Sequence, residues 1–394
     1  MNLCPKRISE LGHVVTGKTP PTGRREFFGG EYPFVTPTDL DYDHYYCRQT
    51  ERTVTEEAKA ALPRQFIPAD SVMFTCIGAT IGKCALAPAE CLTNQQINSV
   101  VANEHTDSKF LYYLLCQNVN VVKGLGGGAA TPIVNKSKFE EVQFLVPSLR
   151  DQQAISAILS AYDDLIENNR RRMALLEDAA RQLYCEWFVR LRFPGHEHTR
   201  ITNGVPEGWE RKPVEELTSF LSRGIAPHYD DDAEGLVINQ KCIRGGRLHL
   251  SLARHQSREF KPDRQVQHGD VLVNSTGEGT LGRVAQVLAP IDNCTVDTHV
   301  TIVRPAPGIG VHYFGQALME WEPRFSTMGR GATNQTELSR GQIGDVQILV
   351  PRRSLVQQFE DVAASSFRQV WVLMEQNEKL RIARDLGERH GEAR

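Results

Sequence analysis

The sequence contains no apolar run approaching the roughly 20 residues that a membrane-spanning helix needs. Its opening, Met1-Asn2-Leu3-Cys4-Pro5-Lys6-Arg7, also lacks the apolar segment of a signal peptide. The expected address is therefore the cytoplasm. Nine cysteines occur, an odd number with no Cys-x-x-Cys pair, which argues against a disulfide framework or zinc ribbon and for reduced, mostly buried thiols. Catalytic signatures are missing as well: no His-Glu-x-x-His helix and no Gly-x-Ser-x-Gly elbow. Neither Asn-Pro-Pro-Phe nor Asp-Pro-Pro-Tyr, the motifs of adenine methyltransferases, is present. Gly277-Glu278-Gly279-Thr280-Leu281-Gly282 spells a dinucleotide fingerprint, but Arg283 to Leu288 reads as a strand, so no helix N-terminus is offered to a pyrophosphate. His196 and His198 flank Glu197 in a linker without a third ligand at recognisable spacing. No catalytic residue, metal or cofactor is expected in this chain.

What the chain does have is length and repetition. Its 394 residues exceed one ordinary core, and 40% hydrophobic with 24% charged residues is the composition of a globular protein. Asp70 to Ala85 aligns without gaps with Asp270 to Ala285, an offset of 200: Asp70, Thr80, Gly82 and Ala85 return as Asp270, Thr280, Gly282 and Ala285. Glu141-Val142-Gln143-Phe144-Leu145-Val146-Pro147 returns at an offset of 204 as Asp345-Val346-Gln347-Ile348-Leu349-Val350-Pro351, and Gln152-Gln153 follow, one residue further on, as Gln357-Gln358. Between these anchors each copy has a glycine-rich loop, Gly126-Gly127-Gly128-Ala129 and Gly329-Arg330-Gly331-Ala332-Thr333. The chain is thus read as a tandem duplication of a mixed α/β (α+β) module. Runs such as Ser71 to Thr75 and Val300 to Val303 predict strands, and Phe110 to Cys116 and Val311 to Met319 predict short helices.

After each Val-Pro the apolar period changes to that of a helix. Ile155, Tyr162, Asn169, Leu176 and Leu183 recur every seven residues, with Ile158, Leu159, Leu165, Ile166, Met173 and Trp187 on the same side. A helix from Ala154 to Val189 would span roughly 50 Å, more than one small domain needs. The second copy offers Phe359, Val362, Val370, Leu373, Met374, Leu380 and Leu386, a shorter stripe ending in the polar tail Gly387 to Arg394. Asn169 inside its stripe can fix the register of paired helices; Asn377 either does the same or sits on a surface. The resulting division is 1–149 for the first module, 150–193 for its helix and 194–209 for a linker. Residues 210–353 form the second module, 354–388 its helix and 389–394 the tail.

Two tandem modules joined by paired helices suit a ligand with two separated half-sites, of which double-stranded DNA is the natural example. The net charge of -3 is silent on this, since local charge matters. From Lys241 to Arg264 the second module carries Lys241, Arg244, Arg247, Arg254, Arg258, Lys261 and Arg264 against Glu259 and Asp263, a candidate phosphate-contacting strip. Base reading calls for polar side chains on loops. The candidates are Thr16, Lys18, Thr19, Thr36, Asn94, Gln95, Gln96 and Thr131 in the first copy, and Asn274, Asp297, His299, Arg330, Thr333, Asn334 and Gln335 in the second. Where the framework repeats, these loops differ: Asn94-Gln95-Gln96 against Asp297-Thr298-His299.

Arg7-Ile8-Ser9-Glu10-Leu11, Thr16-Gly17-Lys18-Thr19-Pro20, Thr93-Asn94-Gln95-Gln96-Ile97, Val146-Pro147 with Gln152-Gln153, Trp187-Phe188 and Pro206-Glu207-Gly208-Trp209 occur in this order. Over nearly its whole length the chain resembles the specificity subunit of a type I restriction-modification enzyme. The resemblance implies two target-recognition domains, each reading one half of a split, asymmetric DNA site. It implies long helices that pair as an antiparallel coiled coil and set the spacer length. Ile155, Tyr162, Leu165, Asn169, Leu176, Leu183, Trp187, Val370, Leu373 and Leu380 are then the candidate interface between the helices. It further implies modification subunits, two of them, that methylate adenine N6 with S-adenosylmethionine, and restriction subunits that use ATP and Mg. All cofactors would belong to those partners. The alternative is a non-enzymatic scaffold whose modules bind protein or RNA and whose helices recruit partners.

Overall fold

The computed structural model describes residues 3–41, 44–126, 132–329 and 336–392, of which 386–392 by backbone alone. They fall into two compact units, one built from the described parts of 1–169 and 376–394, the other from 170–375. Among the described residues no helix is long and apolar enough to cross a membrane.

In the first unit a four-stranded antiparallel sheet has Gly12–Thr16, Ile97–Ala102, Val72–Thr75 and Cys84–Leu86 side by side in that order. A second sheet orders Arg52–Val54, Phe28–Val35, Cys91–Thr93 and Phe66–Ile67, with Phe28–Val35 parallel to Cys91–Thr93. Val72–Thr75 is buried throughout, as expected of a central strand covered on both faces. Helix Ser108–Gln117, capped where Asp107 accepts the Phe110 N–H, closes one face of this core.

The second unit repeats the plan. Thr218–Arg223, Val300–Pro305, Val271–Asn274 and Val284–Gln286 form a sheet of the same order, and Gly235–Ile238 runs parallel to Cys294–Val296. Cys4–Arg7 pairs antiparallel with Gln143–Val146 in one module, and Glu210–Pro213 with Gln347–Val350 in the other. Even the caps correspond: Asn135 caps Lys136–Glu140 and Ser339 caps Arg340–Gly344. The matched Gly82 and Gly282 both take positive φ, and a Cβ at either would collide with the helix behind it, at Val119 or at Phe325 and Ser326. That packing, rather than a phosphate, explains the repeated glycine.

Each module runs into a long helix, Leu149–Tyr184 and Arg353–Glu392, the first ending in a π-helical turn, Cys185–Val189. The second, expected to be shorter and to give way to a tail at 389–394, has 40 residues, close to the 36 of the first with the 5 of its π-helical turn, and continues helically to Glu392. Glu388, Arg389 and Glu392 favour helix, and Gly387 and Gly391 each weaken it by only about 1 kcal/mol.

The helices pair antiparallel within each unit. In the first, Asn169 Nδ2 donates to Asn377 Oδ1 at 2.9 Å and Arg384 Nη1 to Asp163 Oδ1 at 2.6 Å. In the second, Met173 packs with Val370 and Leu373, and Phe188 meets Phe359 at 5.4 Å between ring centres. The buried seam departs from the expected interface set, although Leu159, Ile166, Met173 and Asn169, all on the predicted stripe, are buried. Ile166, Met173 and Ala180 are buried along it and Leu159 against the first module's core, with Gln152, Ser156, Ser160, Asp163 and Glu167 buried beside them. Ile155, Tyr162, Leu176, Leu183 and Trp187 flank it half-buried, while Leu165 and Ile158 are 52% and 63% exposed. Polar partners turned the helix: Gln152 receives the Asp107 N–H and donates to the Pro147 carbonyl, and Asp163 receives the Tyr113 hydroxyl. Apolar periodicity alone cannot register a seam whose fixed points are polar. On the second helix Val370, Leu373 and Asn377 are buried, Leu380 is half-buried, and Val362 is 52% exposed.

Candidate nucleic-acid interface

In the first unit six of the predicted residues converge where the two sheets meet. Thr16 ends its strand opposite Asn98 and donates its hydroxyl to Asn98 Oδ1 at 2.7 Å. The chain then turns through Gly17, where a Cβ would land on the Thr93 and Asn94 carbonyl oxygens. Only glycine lets Lys18 N–H reach the Thr93 carbonyl at 2.8 Å. Thr19 donates to Gln95 Oε1 at 2.7 Å, and buried Asn94 holds the turn by accepting the Gln96 N–H at 3.0 Å. Lys18 and Gln95 are left exposed, with Thr19 and Gln96 half-buried. Asn94 and Thr16 therefore shape the loop, while Lys18, Thr19, Gln95 and Gln96 present donors and acceptors of the kind that reads base edges. Thr36 follows the parallel strand into the same neighbourhood, since Val35 accepts the Asn94 N–H, but its hydroxyl and N–H are both spent on Asp39. It closes a turn.

The second unit has the same construction with different side chains. Gly224 leaves no room for a Cβ against the Val296 and Asp297 carbonyls, and Asp297 accepts the His299 N–H at 2.8 Å as Asn94 accepts that of Gln96. Burial pushes the Asp297 carboxyl up, partly opposed by that hydrogen bond. His299 Nδ1 lies 2.6 Å from Thr276 Oγ1, and its ring is exposed beside exposed Thr298. At the place of Thr16 stands Arg223, paired with Glu337 at 2.7 Å and donating to the Leu338 carbonyl. Sequence reasoning missed Arg223. Its signal was available in Arg223-Gly224-Ile225-Ala226-Pro227, which aligns with Thr16-Gly17-Lys18-Thr19-Pro20.

Two predicted contacts are corrected here. Asn274 is fully buried and donates to the Gln240 and Thr280 carbonyls, so it braces the 276–280 turn and faces no ligand. Arg247 points from its Gly245-Gly246 hairpin to the first long helix, where Glu177 takes it in a two-pronged ion pair. The basic strip is divided in the same way. Arg264 is drawn to the Arg223 and Gly224 carbonyls, Arg258 donates to the Ala226 carbonyl, and Arg254 lies over the Tyr229 ring. Lys241 and Arg244 remain exposed. Thr131, Arg330, Thr333, Asn334 and Gln335 lie outside the described residues. Among those described, no group of three His, Cys, Asp or Glu side chains is placed to hold a metal ion.

Fold and surface together define a protein of two like modules, each presenting a polar loop cluster at the same place on the same framework. The family model for the type I restriction modification DNA specificity domain matches residues 4–178. The MjaIX type I restriction enzyme specificity subunit of Methanocaldococcus jannaschii is 26% identical over 381 residues, which is 93% of this chain and 87% of that one. The HindI specificity subunit of Haemophilus influenzae is 31% identical over 173 residues, 42% of this chain and 37% of the relative. A crystal structure of a type I restriction-modification S subunit from M. genitalium shares the fold, with a TM-score of 0.60 at 14% identity over 98% of this chain and 95% of that one. Residues 4–178 thus match that specificity domain, and over nearly its whole length the chain is similar to type I restriction-modification specificity subunits.

Proposed function

We propose that this chain reads a split, asymmetric site in double-stranded DNA, one half with each module, and contributes no chemistry to the complex it joins. One observation carries the reading. Two copies of a framework hold unlike side chains at the same place, Lys18, Thr19, Gln95 and Gln96 in one and apolar Ile225 and Ala226 with polar Thr298 and His299 in the other. Equal scaffolds with unequal contact residues suit two different half-sites. The family reading supplies the rest. The long helices set the unspecified spacer and dock two modification subunits, which methylate adenine N6 from S-adenosylmethionine, and restriction subunits using ATP and Mg complete the assembly. The test is a comparison of methylated sites in cells with and without this chain. A bipartite motif that disappears with the chain is expected, and methylation indifferent to its deletion overturns the reading. Replacing residues 333–335 should change one half of the motif only. A chain that shows no salt-sensitive preference for duplex DNA would instead favour a scaffold for protein or RNA.

A further inference from the structure

The apolar part of the helix seam does not choose its own register. Ile166, Met173 and Ala180 stand seven residues apart on the first helix, as Ala363 and Val370 do on the second, so sliding one helix past the other by seven residues again sets apolar against apolar. The buried polar groups of the first unit do not repeat. Asn169 and Asn377 are 6% and 3% exposed and bond to each other, and Asn377 also reaches toward the Ile166 carbonyl at 3.5 Å. About two turns further along, Asp163, 2% exposed, receives Arg384 on one oxygen and the Tyr113 hydroxyl, at 2.5 Å, on the other. Tyr113 belongs to helix Ser108–Gln117 of the module itself. A slip would leave two amides, a carboxylate and a guanidinium buried without these partners, and breaking such pairs is far more costly than rearranging apolar contacts.

We propose that Asn169–Asn377 and Tyr113–Asp163–Arg384 form a polar lock that selects one heptad register for the helix pair and thereby positions the modules for one spacer length. This rests on the reading of the chain as a two-half-site DNA specificity subunit. These are positioning residues, since none of them is placed to touch DNA. A slip of seven residues moves a helix by about 10.5 Å at 1.5 Å per residue, close to three base pairs at 3.4 Å each. The lock therefore discriminates among spacers that differ by about three base pairs.

The experiment uses the full chain assembled with its modification subunits, on duplexes carrying the native half-sites with the native spacer and with spacers three base pairs shorter and longer. Asn169→Leu with Asn377→Leu, further combined with Arg384→Leu, is expected to lose spacer discrimination by roughly tenfold, equivalent to about 1.4 kcal/mol, while the half-site sequences stay the same. Arg384→Lys, which keeps the charge, should retain the native preference. In the free chain, Met173→Cys with Val370→Cys reports the native register, and Met173→Cys with Ala363→Cys reports the slipped one. The slipped disulfide should form only when the lock is removed, and thermal melting establishes that each variant is folded. Folded lock variants with unchanged spacer preference and no slipped disulfide overturn the proposal. If the unaltered complex yields no bipartite motif, the DNA reading itself fails, and the disulfide pattern still decides whether the lock sets register.

Discussion

Acid should weaken the second unit through one histidine. His312 is 5% exposed at the start of helix Val311–Met319, stacked at 4.8 Å on Phe367, and its Nδ1 has no hydrogen-bond partner. Burial, and then the neighbouring His268 ring, push its pKa down from 6.5 to about 4. The folded state thus keeps the ring neutral where the unfolded chain takes up a proton. The stability that follows is whole above pH 6.5 and is lost as pH falls toward 4. A depression of this size corresponds to about 3 kcal/mol. For a unit of some 200 residues, about 1 kcal/mol moves Tm by roughly 2–4 °C, so the loss amounts to roughly 6–12 °C. Glu360, which accepts the Tyr313 N–H at 2.7 Å, is pushed up by burial, and so is Asp297. Both contribute with the opposite sign, losing stability as pH rises. The assay is therefore a difference: calorimetric melting of the chain and of His312→Leu at steps from pH 7 to pH 4.5. The two Tm curves should converge in acid, because the leucine variant lacks the proton-uptake penalty. Parallel curves would refute the assignment.

Four further outcomes follow from the interface. Arg244→Gln should reduce the slope of log affinity for duplex DNA against log salt by about 0.9, the value of one phosphate contact. Arg247→Gln should leave that slope unchanged and lower the melting temperature, because Glu177 loses its partner. Gly224→Ala, whose Cβ has no room against the Val296 and Asp297 carbonyls, should cost about 1–3 kcal/mol by overpacking and abolish one half of the methylation motif with the other half intact. Asn274→Ala should cost about 1–3 kcal/mol for the buried carbonyls it orphans, visible in melting, without altering which bases are preferred in footprinting.

The duplication was legible because strands and glycine turns obey local rules. Val72–Thr75 and Val271–Asn274 announce themselves by composition, and the Gly82 and Gly282 turns by position. The candidate loops were legible for the same reason, but their division into presenting and bracing residues was not. Asn94 and Asn274 look identical in sequence to a base-reading asparagine, and only the fold shows their amides already engaged. Arg247 fails for a related reason, since Glu177 lies 70 residues away in the chain. The helix seam was misread because periodicity counts apolar residues, whereas Asp163 and Gln152 orient this helix through partners on other elements.

Asn377 meets Asn169 across 208 positions of chain, and the whole second module is translated between them. The first unit cannot be completed in the order in which it is made. Until residues 376–385 emerge, its long helix must wait with Asp163 and Asn169 uncovered, so the most non-local contacts of the protein are also the last available to it. Folding of the first module on the ribosome is thereby separated from locking of its helix, and a chain stalled within the second module would carry an open seam that a second copy could fill.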